Sequence, residues 1–157
     1  MKNLLSEVEI KTLNKFGQFE MTASHTDMHL ANSMKTISAF GAEKFFNAES
    51  DDERVHYRAI EEFMNDMGAQ LSVESLESEN TSITDIKSAL ETAYQMELEL
   101  MEAYEKSAVN PELSFKVKLK LYEFVEIQTK AVGEYGDLLA RIALTNDMLL
   151  FDKELGN

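Results

Sequence analysis

Residues 51–57 read DDERVHY, which sets Glu53 and His56 three positions apart. On a helix that spacing places a carboxylate and an imidazole on one face, where together they can hold a metal ion. In a Glu-rich helix the same pair also arises by accident of composition, as two polar residues on a wet surface. The rest of the chain weighs against accident. Tracing the 3.6-residue stripe that should face a core on each helical segment gives runs that are apolar at both ends and polar near the middle. Glu20 and Asp27 interrupt the first stripe, Glu53 and His56 the second, Glu97 the third and Gln128 the fourth. Four aligned helices would point these residues inward at similar heights. Buried carboxylates are costly unless paired or metal-bound, and no Arg or Lys lies on the stripes to neutralise them. A divalent or trivalent metal would. Carboxylate oxygens with a single imidazole suit iron or manganese.

The elements that must carry these residues are four long helices and a short fifth. The pattern predicts helices from about Ser6 to Met34, Ala42 to Met67, Ile83 to Ala108, with Thr84 and Asp85 as cap candidates, and Pro111 to Ala143, with Pro111 at the helix start. Thr145-Asn146-Asp147 breaks the chain before a short apolar-faced tail, MLLFDKEL. Two connections are short and suit antiparallel hairpins. The third, roughly Gly68 to Ser82 (GAQLSVESLESENTS), is long enough to carry the chain the length of a bundle. The expected fold is therefore all-α: a four-helix bundle with a long crossover between helices two and three and a short C-terminal fifth helix, formed by residues 1–157 as a single domain.

Composition agrees and excludes much else. At 157 residues the chain supports one substantial core, and its single Pro and scarce Gly argue against a sandwich or barrel. Without Cys there is no disulfide scaffold, thiolate zinc site, iron–sulfur cluster or Cys nucleophile. A net charge of −14 disfavours nucleic acid and favours cations. No run approaches the ~20 apolar residues of a membrane span, and MKNLLSEVEIKTLNKF spaces its charges too closely for a signal peptide. The expectation is a cytoplasmic protein without membrane or nucleic-acid partners.

Glu20 lies 36 residues before His56 and Glu97 lies 41 after it. Those intervals, the segments AESDDERVHYRAIEEF and YQMELEL, the Gln of FVEIQTKAV and the tail MLLFDKELGN are similar to non-haem ferritins of bacteria and microalgae, over nearly the whole chain. The resemblance implies a di-iron ferroxidase centre. Glu20, Glu53 and His56 would hold the first iron, Glu53 would bridge, Glu97 would hold the second iron, and Gln128 would sit close by. It also implies oxidation of Fe(II) by O2 or peroxide and storage of ferric mineral in a hollow homo-oligomer of 24 subunits. The departures bear on the second iron. Asp27 stands where many ferritins carry Tyr, and Ala131 where bacterial members carry a fourth-helix Glu; Ile127 and Lys130 replace carboxylates of a bacterial third iron site. Asp27, on the inward stripe, is a further candidate metal ligand, and Glu134 a weaker substitute. Rubrerythrins and bacterioferritins carry a second Glu-x-x-His on helix four, which is missing here, and Arg54 replaces the haem-binding Met of bacterioferritins, so no haem is expected. Dps proteins lack this ligand pattern and tail.

Other signals carry less. His25 and His29 have a metal-compatible spacing but fall opposite Glu20 on helix one, which suits a solvated or subunit-contact face. Tyr94, Tyr104 and Tyr135 could relay electrons, although packing with a partner for the phenol is the simpler role. Two rivals remain at this level: a ferritin-like di-metal oxidoreductase that scavenges peroxide and stores nothing, and a metal-free helical interaction protein.

Overall fold

The computed structural model describes residues 1–157. Its helices are α1 (Glu7–Thr36), α2 (Phe40–Asp66), α3 (Ile86–Ala108), α4 (Phe115–Leu144) and α5 (Met148–Leu155), with no strands. Ser6 starts α1 with a capping box, accepting from Glu9 N while its own N–H donates to the Glu9 carboxylate at 2.9 Å. Glu9 Oε1 also accepts from Ser114 N at 2.7 Å, which ties the start of α1 to the start of α4. Burial works to raise the Glu9 carboxyl, but the bonds from Ser114 and Ser6 outweigh it and hold the group below its ordinary value. Asp85 caps α3 and Asp147 caps α5, each through its carboxylate.

Helices α1 and α2 form one antiparallel hairpin and α3 and α4 another, joined by the long crossover as expected. Between α1 and α2 the turn needs a left-handed residue, Ser38 at φ 63°. The crossover is irregular but anchored along α1. Leu71 is buried against Gly17, Ser72 N donates to Asn14 Oδ1 at 2.8 Å, and His29 Nε2 lies 2.6 Å from the Thr81 carbonyl oxygen. A side chain at Gly17 would sit 2.9 Å from the Leu71 methyl, so the glycine lets the strap lie flat. His29 thus meets the strap on an exposed flank of α1.

Two helix starts differ from expectation: α3 begins at Ile86, after Asp85, instead of at Ile83, and α4 begins later than Pro111. Pro111 does not open α4; it lies in the turn before it, and the helix begins at Phe115 after Ser114. Asn110 prefers to organise this turn, with its Oδ1 accepting from Glu112 N and its carbonyl from Leu113 N.

Helix α5 folds back onto the start of α2. Asp152 accepts from Gly41 N and Ala42 N at 3.1 and 2.8 Å, acting as a distant cap for a helix whose own N-cap, Ala39, has no side-chain bond. The apolar interior is divided in two. One cluster of 14 buried residues, including Leu30, Phe46, Leu90 and Phe151, fills the α5 end; another of 13, including Leu13, Phe16, Ile60 and Leu121, fills the opposite end. Between them lies a polar layer.

Candidate metal centre

The polar layer is built by one or two residues from each long helix. Glu20 comes from α1, Glu53 and His56 from α2, Glu97 from α3 and Gln128 from α4. Glu20, Glu53, Glu97 and Gln128 are at most 3% exposed, and His56 is half-buried. One ligand atom each from Glu20, Glu53 and His56 lies within 4.8 Å of the others. His56 Nδ1 is 3.3 Å from Glu53 Oε2 and 3.4 Å from Glu20 Oε2. Across from this trio, the Gln128 amide donates to Glu97 Oε2.

Neighbouring residues hold these groups in place. The Tyr104 hydroxyl donates to Glu20 Oε1 at 2.5 Å. Its ring is stacked between Phe16 and Phe124, with centroids 4.1 and 5.0 Å away, so the donor has little freedom to turn. One turn along α1, Ser24 and Ser50 exchange hydroxyl-to-carbonyl bonds at 2.9 Å and lock α1 to α2 beside the centre.

Burial with incomplete pairing sets the charge states. Burial raises the Glu53 carboxyl to about 7, with the Glu20 charge adding to the rise and His56 opposing it. Glu97 is pushed up to about 8, first by burial and then by the charge of Glu53, while Gln128 pulls it down. Burial would lower His56, but its bonds and attraction to Glu20 and Glu53 prevail and raise it to about 10. In the metal-free protein the raised imidazole of His56 therefore lies as a charged group between Glu20 and Glu53. Five buried side-chain atoms still have no hydrogen-bond partner: Glu20 Oε2, Glu97 Oε1, Gln128 Oε1 and both oxygens of Asp27. Buried polar atoms are rarely left so. All five are hard oxygen donors, no Lys or Arg forms an ion pair with any of these carboxylates, and a di- or trivalent cation fits the set.

The sequence-derived candidates fall into three groups here. Glu20, Glu53 and His56 form the trio, Glu97 and Gln128 form the facing pair, and Asp27, two turns beyond Glu20 on α1, is raised well above the ordinary carboxylate range by burial and by the nearby charges of Glu53, Glu97 and Glu49. Glu134 is no substitute ligand, because it is exposed and faces Lys130 at 3.9 Å. One further acidic residue joins the layer. Glu49 lies one turn before Glu53 on the same stripe, half-buried and raised to about 7 by burial, with the Tyr135 bond opposing and nearby acidic charges adding. Its position on the stripe was the available signal. Tyr104 packs with a partner for its phenol, the simpler of the two roles expected for it, and that partner is the candidate ligand Glu20.

Fold and site together define an antiparallel four-helix bundle with one crossover and a carboxylate-lined interior. The chain belongs to the ferritin family: the family model described as "Ferritin: Ferritin-like domain" matches residues 10–145. It is 28% identical over 160 residues to a ferritin of Pacifastacus leniusculus, covering 94% of this chain and 87% of that protein. Among solved structures it is similar to an open-pore ferritin from the archaeon Archaeoglobus fulgidus, with a TM-score of 0.91, 18% identity, and coverage of 97% of this chain and 98% of that one. A form of the A. fulgidus ferritin engineered to be closed gives a TM-score of 0.90 at 18% identity, covering 97% and 96% of the two chains. At that identity the structural likeness speaks to the fold. No helix is long and apolar enough to cross a membrane.

Proposed function

We propose that this protein, acting as one domain over residues 1–157, is an iron-storage ferritin of the cytoplasm. It would take Fe(II) as substrate at a di-iron ferroxidase centre inside the bundle, oxidise it with O2 or peroxide, and store the ferric product in a 24-subunit homo-oligomeric cage. The observation that carries this reading is the trio of buried Glu20 and Glu53 with half-buried His56, whose ligand atoms converge with no Lys or Arg to neutralise them. Membership of the ferritin family supports it.

Each residue has a separate task. Glu20 Oε1 is held by Tyr104, which leaves Oε2 free to face the first iron. His56 must release its extra proton before Nδ1 can offer a lone pair, so iron binding is coupled to proton release. Glu53 lies between Glu20 and Glu97 and is the bridging carboxylate. Glu97 presents its unbonded Oε1 to the second iron while Gln128 fixes Oε2. Two ferrous ions so placed supply O2 with two electrons in one encounter, and carboxylates favour the ferric product. The reading uses no haem; Arg54, which replaces the haem-binding Met, is exposed and paired with Asp51.

Stopped-flow oxidation of Fe(II) tests the reading. Glu53→Ala and His56→Ala should each slow the initial phase at least tenfold while circular dichroism stays helical; unchanged oxidation in both would remove the site assignment. Size-exclusion chromatography tests storage separately, since a monomer or dimer cannot enclose mineral.

A further inference from the structure

The interior holds a second acidic constellation, beside the first. Glu20 faces His56 and Ser24 bonds to Ser50, so the antiparallel register brings Asp27, the next inward residue on α1, to the level of Glu49 on α2. Asp27 is 0% exposed, neither of its oxygens has a hydrogen-bond partner, and the charges of Glu53 and Glu97 act on it along with that of Glu49. The Tyr135 hydroxyl, from α4, donates to Glu49 Oε2 at 3.2 Å and leaves Oε1 available. Tyr135 is itself held by an edge-on contact with Phe45, centroids 5.9 Å apart. Asp27 and Tyr135 are close enough that the Asp27 charge leads those acting on the phenol, after burial. No Lys, Arg or His forms an ion pair with either carboxylate.

We propose that Asp27 and Glu49, with Tyr135 orienting Glu49, form a second cation site in the bundle, distinct from the Glu20/Glu53/His56 trio. An isolated buried carboxylate without a donor is unstable against protonation or ion capture. A hard cation supplies both Asp27 oxygens with a partner at once. The set holds only oxygen donors, which suits iron, manganese, magnesium or calcium and disfavours zinc or copper. Glu49 is half-buried, so it offers the site a side open to arriving ions, whereas Asp27 closes the inner end. That iron is the natural occupant rests on the function proposed above.

Mn(II), which air does not oxidise in this setting, is the probe. Crystals of the metal-free protein soaked in Mn(II) should show anomalous density between Asp27 and Glu49, as well as at the trio. In the double variant Asp27→Asn/Glu49→Gln the first peak should vanish and the second remain, with equilibrium dialysis losing about one Mn(II) per chain. Density at the trio alone, or dialysis unchanged by the double variant, overturns this site and leaves the centre standing. Density between Asp27 and Glu49 with none at the trio supports this site and contradicts the centre. Density at neither position overturns both.

Discussion

Glu97 is 1% exposed, with Oε2 bonded to the Gln128 amide and Oε1 bonded to nothing. Burial and the charge of Glu53 raise its carboxyl from 4.5 to about 8. A raised folded-state value means that the bound proton stabilises the fold fully below 4.5 and that this contribution is lost as pH rises toward 8. At pH 7 the folded group keeps a proton that the unfolded chain has released. At about 1.4 kcal/mol per pH unit, this costs the fold about 3 kcal/mol. Glu97→Gln removes the titration but preserves the shape and an oxygen for the Gln128 bond. The metal-free variant should therefore be more stable than the parent at pH 7, by up to about 3 kcal/mol, a rise in Tm of about 6–12 °C for a chain of this length. The advantage should fade to nothing near pH 4.5. Fe(II) oxidation should fall at least tenfold, because the second iron loses its carboxylate. Calorimetry from pH 4.5 to 8 measures the first effect and stopped-flow absorbance the second. A variant no more stable than the parent at pH 7, or an advantage independent of pH, would refute the claim that the fold holds this carboxylate at a cost.

The same sign applies to the whole polar layer. Glu49 and Glu53 rise to about 7 and His56 to about 10, each above its unfolded value, so the thermal stability of the metal-free protein should decline from pH 5 to pH 9; a steady rise over that window would contradict the assigned charge states. Tyr104→Phe keeps the stack with Phe16 and Phe124 but leaves Glu20 Oε1 buried without a donor, which should cost about 1–3 kcal/mol in the metal-free protein. Anaerobic Fe(II) titration of that variant should also show weaker binding of the first ion, and an unchanged affinity would mean that Tyr104 does not orient Glu20.

Much of this arrangement was legible because long-range order here is written in a short-range pattern. A helical stripe that turns polar at mid-length in four successive helices leaves few alternatives to a polar layer, and the two separate apolar clusters are its structural counterpart. The crossover was visible as a long link between hairpins. What escaped depends on partners remote in sequence. Asp152 caps α2 from more than a hundred residues away, and Asn14 and Gly17 receive the crossover at Ser72 and Leu71. No local rule couples such positions. Pro111 illustrates the competition between local signals: proline favours a first helical turn, but Asn110 organises a turn around it, Ser114 N is held by the Glu9 carboxylate, and Phe115 becomes the first helical residue. Glu49 is hidden for a different reason. Its stripe marks it as inward, but only the register of α1 on α2 reveals that Asp27 lies opposite.

The central claim is that four helices converge on Fe(II) at Glu20, Glu53, His56 and Glu97. Its most direct test is a crystal of the full chain soaked anaerobically with Fe(II), with data collected on both sides of the iron absorption edge. One iron should touch Glu20, Glu53 and His56 Nδ1, and a second should touch Glu53 and Glu97, with Gln128 adjacent. Iron confined to exposed carboxylates, with the buried layer still empty at saturating Fe(II), would contradict it.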